Sequence, residues 1–292
     1  MIKRVGIVAK SHLEAARPVL ADIVAWLRAR GVEPVLDTDT SALAQQGGGT
    51  VSCEKDGLPA RVDLMLVLGG DGTLLGMADR IAQSGADIPI LGVNFGGLGF
   101  LTEVTLPELY ASLQAAIEGT AAIDARLTIR ALTVRGGRPF QERLVLNDVV
   151  VTHGALSRII ELSVSVDGLF VTRVRADGLI VSSPTGSTAY NLSAGGPILH
   201  PAVDGLVITP IAPHTVSHRP LVIPGASVVR LEPHLDGSRD LVHVTFDGQS
   251  GFPLEADDVV VVSRGERPLR LIRATSRSYF EVLREKLKWG QR

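Results

Sequence analysis

The chain has 292 residues, 45% hydrophobic and 21% charged, with a formal net charge of −2. Near-neutral charge with no long run of one sign gives no field that would draw nucleic acid or an anionic membrane. Cys53 is the single cysteine, which excludes an internal disulfide and a multi-thiolate zinc site.

The opening "MIKRVGIVAKSHLEAARP" carries only a few consecutive apolar residues before a helical pattern begins, unlike a signal peptide. No stretch approaches the roughly 18 apolar residues of a membrane span, so the expectation is a cytoplasmic protein. "RVGIVA" reads as a strand. Ala16, Val19, Leu20, Ile23, Val24 and Leu27 then recur at helical spacing, and Gly31 closes the segment. "VEPVLD" reads as a second strand, and "SALAQQGGGTVSCEKDG" as a polar, glycine-rich mobile loop. "VDLMLVLGG" is apolar at nearly every position, as a strand buried on both faces is. Helix "TLLGMADRIAQSG", strand "IPILGVN" and helix "LPELYASLQAAIEG" continue a βαβ series, hence a parallel sheet covered by helices.

Near residue 124 the texture becomes β-rich: "RLTIRALTV", "ERLVLNDVVVT", "IIELSVSVDGLFVTRVRA", "SVVRLEP" and "LVHVTFDGQ". Asp167-Gly168 between two alternating runs marks a hairpin, and strands about every ten residues suit a sandwich or similar all-β body. The tail "SYFEVLREKLKW" is amphipathic, with Phe280, Leu283 and Leu287 on one face. The expected organisation is an α/β domain over 1–124, a β-rich domain over 125–275, and a helix within 276–292 packed back on the first.

Four stretches carry chemistry. In "GGDGT" (69–73) a strand runs into Gly69, Gly70, Asp71, Gly72 and Thr73. The glycines call for positive φ or for close approach of another group. One reading is a phosphate-binding turn with Asp71 beside the reacting group; the plain alternative is a tight turn with Asp71 capping the helix. The Lys-Ser/Thr ending of a P-loop and the GxGxxG fingerprint are both absent. "GVNFGGLGFLTE" (92–103) is a second glycine loop after a buried strand, which places both at the carboxyl edge of one sheet; alternatively Phe95 and Phe100 are core plugs of a tight turn. "DGLIVSSPTGSTAYNLSAGGP" (177–197) offers Ser182, Ser183, Thr185, Ser187 and Thr188 as small donors and acceptors and Tyr190 as a stacking ring, against an ordinary helix capped by Thr185 or Ser187. Asn147 and Asp148 in "LNDVVVTHG" suit two sugar hydroxyls, or merely a strand-edge turn. His214 and His218 are four apart, but Pro210, Pro213 and Pro220 argue against a helix there and so against a metal pair. There is no GxSxG elbow.

"GGDGT", "GVNxGxLGF", "ND" and "SSPTGSTAYNLSAGGP" occur in the order and rough spacing of bacterial NAD kinases, and the chain resembles that family from its first strand to "FDGQ" at 246–249. The resemblance implies the NAD kinase fold, a Rossmann-like α/β domain plus a β-rich NAD-binding domain. It also implies a reaction: ATP, with Mg²⁺ or another divalent cation on its phosphates, phosphorylates the 2′-hydroxyl of the adenosine ribose of NAD, giving NADP. By position Asp71 matches the catalytic aspartate, which takes or orients the hydroxyl proton. Gly69, Gly70, Gly72 and Thr73 line the phosphate path. Asn147 and Asp148 hold the ribose, with aspartate where many relatives have glutamate. Thr188, Ala189, Tyr190 and Ser193 contact NAD, and Arg175 and Gln249 complete that set with Asp71 and Gly72. Asn94, Leu98, Gly99 and Phe100 match the loop lining the site. Asp177 matches an aspartate reaching a neighbouring subunit's nicotinamide end, implying a homodimer or homotetramer. Many relatives carry a basic or polar residue at Phe95 and often at Gly97; here neither supplies charge.

Three rivals remain in view. A lipid kinase shares "GGDGT" but needs an apolar acceptor pocket, where the Ser/Thr-rich block suits a polar one. A non-catalytic nucleotide-binding regulator is favoured by loss of Asp71, which is present. An NAD-dependent oxidoreductase needs glycines that "GIVAKSH" lacks.

Overall fold

The computed structural model describes residues 2–44, 50–154, 159–215, 217–235, 242–274 and 276–290. Two compact units form, one of Met1–Ala125 with Leu269–Arg292 and one of Arg126–Pro268.

In the first unit, strands Arg4–Ala9, Glu33–Asp37, Leu64–Leu68 and Ile90–Asn94 pair in parallel. Leu64–Leu68 is buried at every position, as its unbroken apolar run requires. Helix Ala16–Arg28 buries Ala16, Leu20, Ile23, Val24 and Leu27, one stripe at helical spacing. Helices Asp71–Ser84 and Leu109–Glu118 end on Gly85 and Gly119, both left-handed, the usual glycine stop.

The structure departs from the sequence reading in three places here. The polar segment after Asp37 is not simply a loop: Thr38–Ala44 is helical and Val51–Cys53 adds an edge strand beside Glu33–Asp37, while residues 45–49 lie outside the described residues. Leu269–Ile272 is a strand of the parallel sheet, with Leu271 opposite Ile90, and its other neighbour in the sheet is Ile123–Arg126. Residues 269–274 therefore belong to the first unit rather than the second. Four residues paired so far away in sequence leave no local periodicity to read. The tail helix Tyr279–Leu287, capped by Ser278 and Glu281, buries Tyr279, Val282 and Leu283, whereas Phe280 stays 60% exposed. Two overlapping apolar stripes exist on that helix, and the one at i, i+3, i+4 docks.

The second unit contains two six-stranded antiparallel sheets. One runs in the order Leu221–Pro224, Gly205–Ile211, Gly178–Ser182, Asp148–His153, Val242–Phe246, Ser250–Pro253; the other Leu169–Ala176, Ile160–Val166, Val229–His234, Val259–Arg264, Ile129–Arg135, Arg138–Val145. Val149, Val151, Leu179 and Val181 of the first share one apolar core with Leu162, Val164, Leu231 and Val260 of the second. The hairpin at Asp167-Gly168 forms as expected, with both residues at positive φ. Among the described residues, no helix is long and apolar enough to cross a membrane.

Candidate functional site

In the first unit, strands Leu64–Leu68 and Ile90–Asn94 are neighbours, and Gly69 donates to Val93 O at 2.9 Å. The turns that follow them thus meet at the carboxyl edge of the sheet. The glycines of 69–72 are not there for positive φ, which none of them adopts. Gly69 is there for contact: a Cβ would lie 2.8 Å from Thr73 Oγ1 and 3.2 Å from Lys10 Cβ. Gly70 and Gly72 are different, since a Cβ on either would meet nothing within 4 Å. The chain is bare on that side, next to the positive end of the 14-residue helix Asp71–Ser84, a setting suited to an anion.

Asp71 does not cap its helix. Gly70 is the N-cap and no side chain serves the cap. The Asp71 carboxylate reaches into the second glycine loop instead. Its Oδ1 accepts from Leu101 N (3.1 Å), Thr102 N (3.0 Å) and Thr102 Oγ1 (2.9 Å), and its Oδ2 from Phe100 N (2.8 Å). Asn94 braces this loop at both ends, accepting from Gly96 N at 2.7 Å and donating to Thr102 Oγ1 at 2.9 Å. Leu98 is buried beneath it. Phe95 and Phe100 are both half-buried; Phe95 packs against the core of this unit, as the plain alternative expects of it.

In the second unit, Asn147 and Asp148 enter the strand Asp148–His153 and are 8% and 4% exposed. Three successive backbone N–H groups, of Leu146, Asn147 and Asp148, donate to the carboxylate of Asp247 at 2.8, 2.6 and 3.1 Å. Asp247 holds φ 51° in the turn after Val242–Phe246, a conformation aspartate tolerates. With its backbone so fixed, Asn147 presents a buried Oδ1 that has no hydrogen-bond partner among the described residues. Such an orphan acceptor is costly unless a donor arrives. Burial, with the nearby Asp247 charge added, pushes the Asp148 carboxyl up to about 7.

The serine-rich block divides in two. Ser182 and Ser183 spend their hydroxyls on backbone carbonyls, Ser183 on Leu146 O at 2.6 Å, and Ser187 exchanges bonds with Leu199. Asn191 donates to Ser187 O and Pro197 O and accepts from Thr209 Oγ1 at 2.6 Å. These are braces, not the free donors that the sequence suggested. Neither Thr185 nor Ser187 caps the short helix Tyr190–Ser193, whose N-cap is Ala189. Thr188 and Ala189 are half-buried, and Tyr190 and Ser193 exposed, so these four form the outward part of the block.

Arg175 and Asp177 are not brought to Asn147 and Asp148. Gly178 pairs with Thr152 and Ser182 with Asp148, so Asp177 lies at the other end of that strand pair, roughly 17 Å away at about 3.4 Å per residue. There His153 Nε2 and His214 Nε2 each stand 4.0 Å from Asp177 Oδ1, and Arg175 lies beside Glu161 at 3.8 Å. Gln249 closes the Asp247 turn, its N–H on Phe246 O at 2.9 Å. Among the described residues no group of three His, Cys, Asp or Glu could hold a metal ion. The residues that sequence reasoning missed are Asp247, Thr102 and Asn191. Only Asp247 left a signal, an Asp-Gly pair between two alternating runs.

The chain matches the family model for the ATP-NAD kinase N-terminal domain over residues 5–121 and that for the ATP-NAD kinase C-terminal domain over residues 146–274. It is 48% identical over 292 residues to an NAD kinase of Syntrophotalea carbinolica and 45% identical over 291 residues to one of Geotalea daltonii, covering 100% of each chain. Two solved structures share its fold. Yeast NADH kinase complexed with NADH aligns with TM-score 0.89 at 23% identity, over 100% of this chain and 89% of that one. An NAD kinase from Archaeoglobus fulgidus in complex with ATP aligns with TM-score 0.75 at 24% identity, over 97% and 99%.

Proposed function

The chain belongs to the NAD kinase family and carries out its reaction, the ATP-dependent phosphorylation of NAD to NADP at the adenosine ribose; we propose that Asp71 is the carboxylate that receives the attacking 2′-hydroxyl. What supports this role is the way Asp71 is held. Oδ1 accepts three hydrogen bonds and Oδ2 one, so Oδ2 keeps a lone pair for a further donor. The 2′-hydroxyl donates to Oδ2, which aims its oxygen at the γ-phosphorus. The new O–P bond forms as the bond from phosphorus to the β–γ bridging oxygen breaks, the hydroxyl proton passes to Oδ2, and ADP leaves with the bridging oxygen. A carboxylate is a weak base for an alcohol. Orientation is therefore most of its contribution, in keeping with the loose transition state of phosphoryl transfer.

Gly69, Gly70, Gly72 and Thr73 form the phosphate path, the open sides of Gly70 and Gly72 admitting the oxygens. Mg²⁺ enters with ATP as part of the substrate, since a metal needs several oxygen ligands and the triphosphate brings its own. Asn147 and Asp148 take the adenosine ribose, the orphan Oδ1 of Asn147 accepting from a sugar hydroxyl. Thr188, Ala189, Tyr190 and Ser193 line the NAD path with Gln249. Leu98, Gly99 and Phe100 back the Asp71 loop. Arg175 and Asp177, remote from Asn147 within one chain, are assigned to the nicotinamide end of NAD bound by a second copy, which makes the working form a homodimer or homotetramer. ATP and NAD are cytoplasmic metabolites, which supports action in the cytoplasm.

The test is direct. Purified protein with Mg²⁺, ATP and NAD should form NADP, read with an NADP-specific dehydrogenase. Asp71→Asn should lose about 10²- to 10⁴-fold in kcat, the usual worth of a positioned acid–base group, while binding NAD normally by calorimetry. Near-normal turnover in that variant removes Asp71 from its role.

A further inference from the structure

The loop that grips Asp71 is itself gripped by the C-terminal segment of the same unit. Glu103 follows Thr102, which gives Asp71 two of its four hydrogen bonds, and Glu103 is 4% exposed. Arg273 Nε lies 3.3 Å from the Glu103 carboxylate. Arg277 Nη1 donates to the Glu103 carbonyl at 3.2 Å and to Glu108 Oε2 at 3.0 Å. Glu108 also accepts from Thr105 N and Oγ1, at 2.9 and 2.6 Å, and from the Ser276 hydroxyl. Burial opposes the Glu108 charge, but the donors from Ser276, Thr105 and Arg277 outweigh it and hold its carboxyl down to about 2. The upstream part of the loop is braced on the same side, with Lys286 Nζ 5.9 Å from the Phe100 ring centre.

These contacts form one continuous path. Arg273 and Arg277 fix Glu103; Glu103 is bonded to Thr102; Thr102, with Leu101 and Phe100, fixes the Asp71 carboxylate. A row of three consecutive N–H groups can aim a carboxylate only if its own ends are fixed, and the arginines add a second anchor, through Glu103, at the end where Asn94 already holds Thr102 Oγ1. We propose that Arg277, assisted by Arg273, is a positioning residue for phosphoryl transfer, setting the Phe100–Thr102 donor row and hence the direction of Asp71 Oδ2. This rests on the reading of Asp71 as the carboxylate that receives the hydroxyl. It adds that the carboxylate is aimed by residues about 200 positions downstream, which touch neither substrate.

The experiment compares the full-length wild type with Arg277→Ala, Arg277→Lys, Asp71→Asn and the double variant Asp71→Asn/Arg277→Ala. Steady-state kinetics are joined to hydrogen exchange of the 100–102 amides. Arg277→Ala should lower kcat about tenfold, within the range for residues acting through a packed network. KM for NAD and for ATP should stay within about twofold, since neither substrate is touched. Arg277→Lys should recover part of the loss, keeping charge but not the guanidinium fork. In the Asp71→Asn background, Arg277→Ala should cost less than about twofold, because sites acting through one group are not additive. The 100–102 amides should exchange faster in Arg277→Ala. Unchanged kcat, or the same tenfold loss with Asp71 already replaced, overturns the proposal and leaves Arg277 a stabilising residue only. If Asp71→Asn alone keeps turnover, the reading of Asp71 fails; unchanged exchange at 100–102 then overturns the loop-setting role as well, and faster exchange upholds it.

Discussion

A β-carbon on Gly99 would lie 2.1 Å from Asp71 Oδ1 and 2.3 Å from Thr102 Oγ1. The glycine is therefore a condition of the carboxylate's seat. Gly99→Ala should push the loop off Asp71 and lower kcat by about 10²-fold, the cost of misplacing a reacting group by about an ångström. Circular dichroism should be unchanged. Gly97→Ala, whose Cβ would meet nothing within 4 Å, should keep near-normal turnover.

The Asp247 carboxylate aligns Asn147 and Asp148 by accepting from their backbone N–H groups. Asp247→Asn keeps the left-handed φ but turns an NH₂ group toward N–H donors. The predicted outcome is a KM for NAD raised about tenfold and a stability loss of about 1–3 kcal/mol, the range for a buried donor left unsatisfied. Denaturant melts and steady-state kinetics read the two effects separately.

The Asp148 carboxyl, pushed up to about 7 mainly by burial and further by Asp247, gives a pH dependence of known sign. Between its ordinary value near 4 and about 7 the folded chain binds the proton and the unfolded chain does not, so this group's contribution to stability falls as pH rises through that window. Below the window it is level. Asp148→Asn should thus raise Tm relative to wild type at pH 8 and leave the difference small at pH 4. A difference independent of pH would reassign the group.

Asn191 and Tyr190 are adjacent but do different work. Asn191 is fully buried and spends both ends of its amide on Ser187, Pro197 and Thr209. Asn191→Leu should destabilise the second unit by several kcal/mol, as broken buried networks do. Tyr190 is 46% exposed. Tyr190→Ala should leave Tm within about 1 °C, as surface changes usually do, and raise KM for NAD.

How much of this was legible depends on where each partner sits. The two glycine turns could be read because each follows a strand buried on both faces, and parallel strands put such turns on one edge. Asp71 could be singled out, but not the destination of its carboxylate, since Phe100–Thr102 lie about 30 residues on and contribute mostly backbone. The hydroxyls of Ser182, Ser183 and Ser187 look identical in sequence to those of Thr188 and Ser193. Only the fold shows that Ser182, Ser183 and Ser187 are buried braces while Thr188, whose hydroxyl also donates to a carbonyl, that of Thr185, is half-buried and Ser193 is exposed. Leu269–Ile272 was invisible as a sheet strand because its partner is Ile90.

That strand has a consequence for synthesis. At ~5–20 residues per second, Ile90 leaves the ribosome roughly 10–40 s before Leu271 does. Over that interval every residue of Arg126–Pro268 is delivered, so the second unit can fold while the parallel sheet still lacks a strand. Arg273 and Arg277 arrive later still. A chain that stops short of Arg273 thus carries Gly69–Thr73 and Asn147–Asp148 in full yet lacks the two arginines that hold Glu103 beside the Asp71 loop, so it should turn over more slowly than a chain that has them.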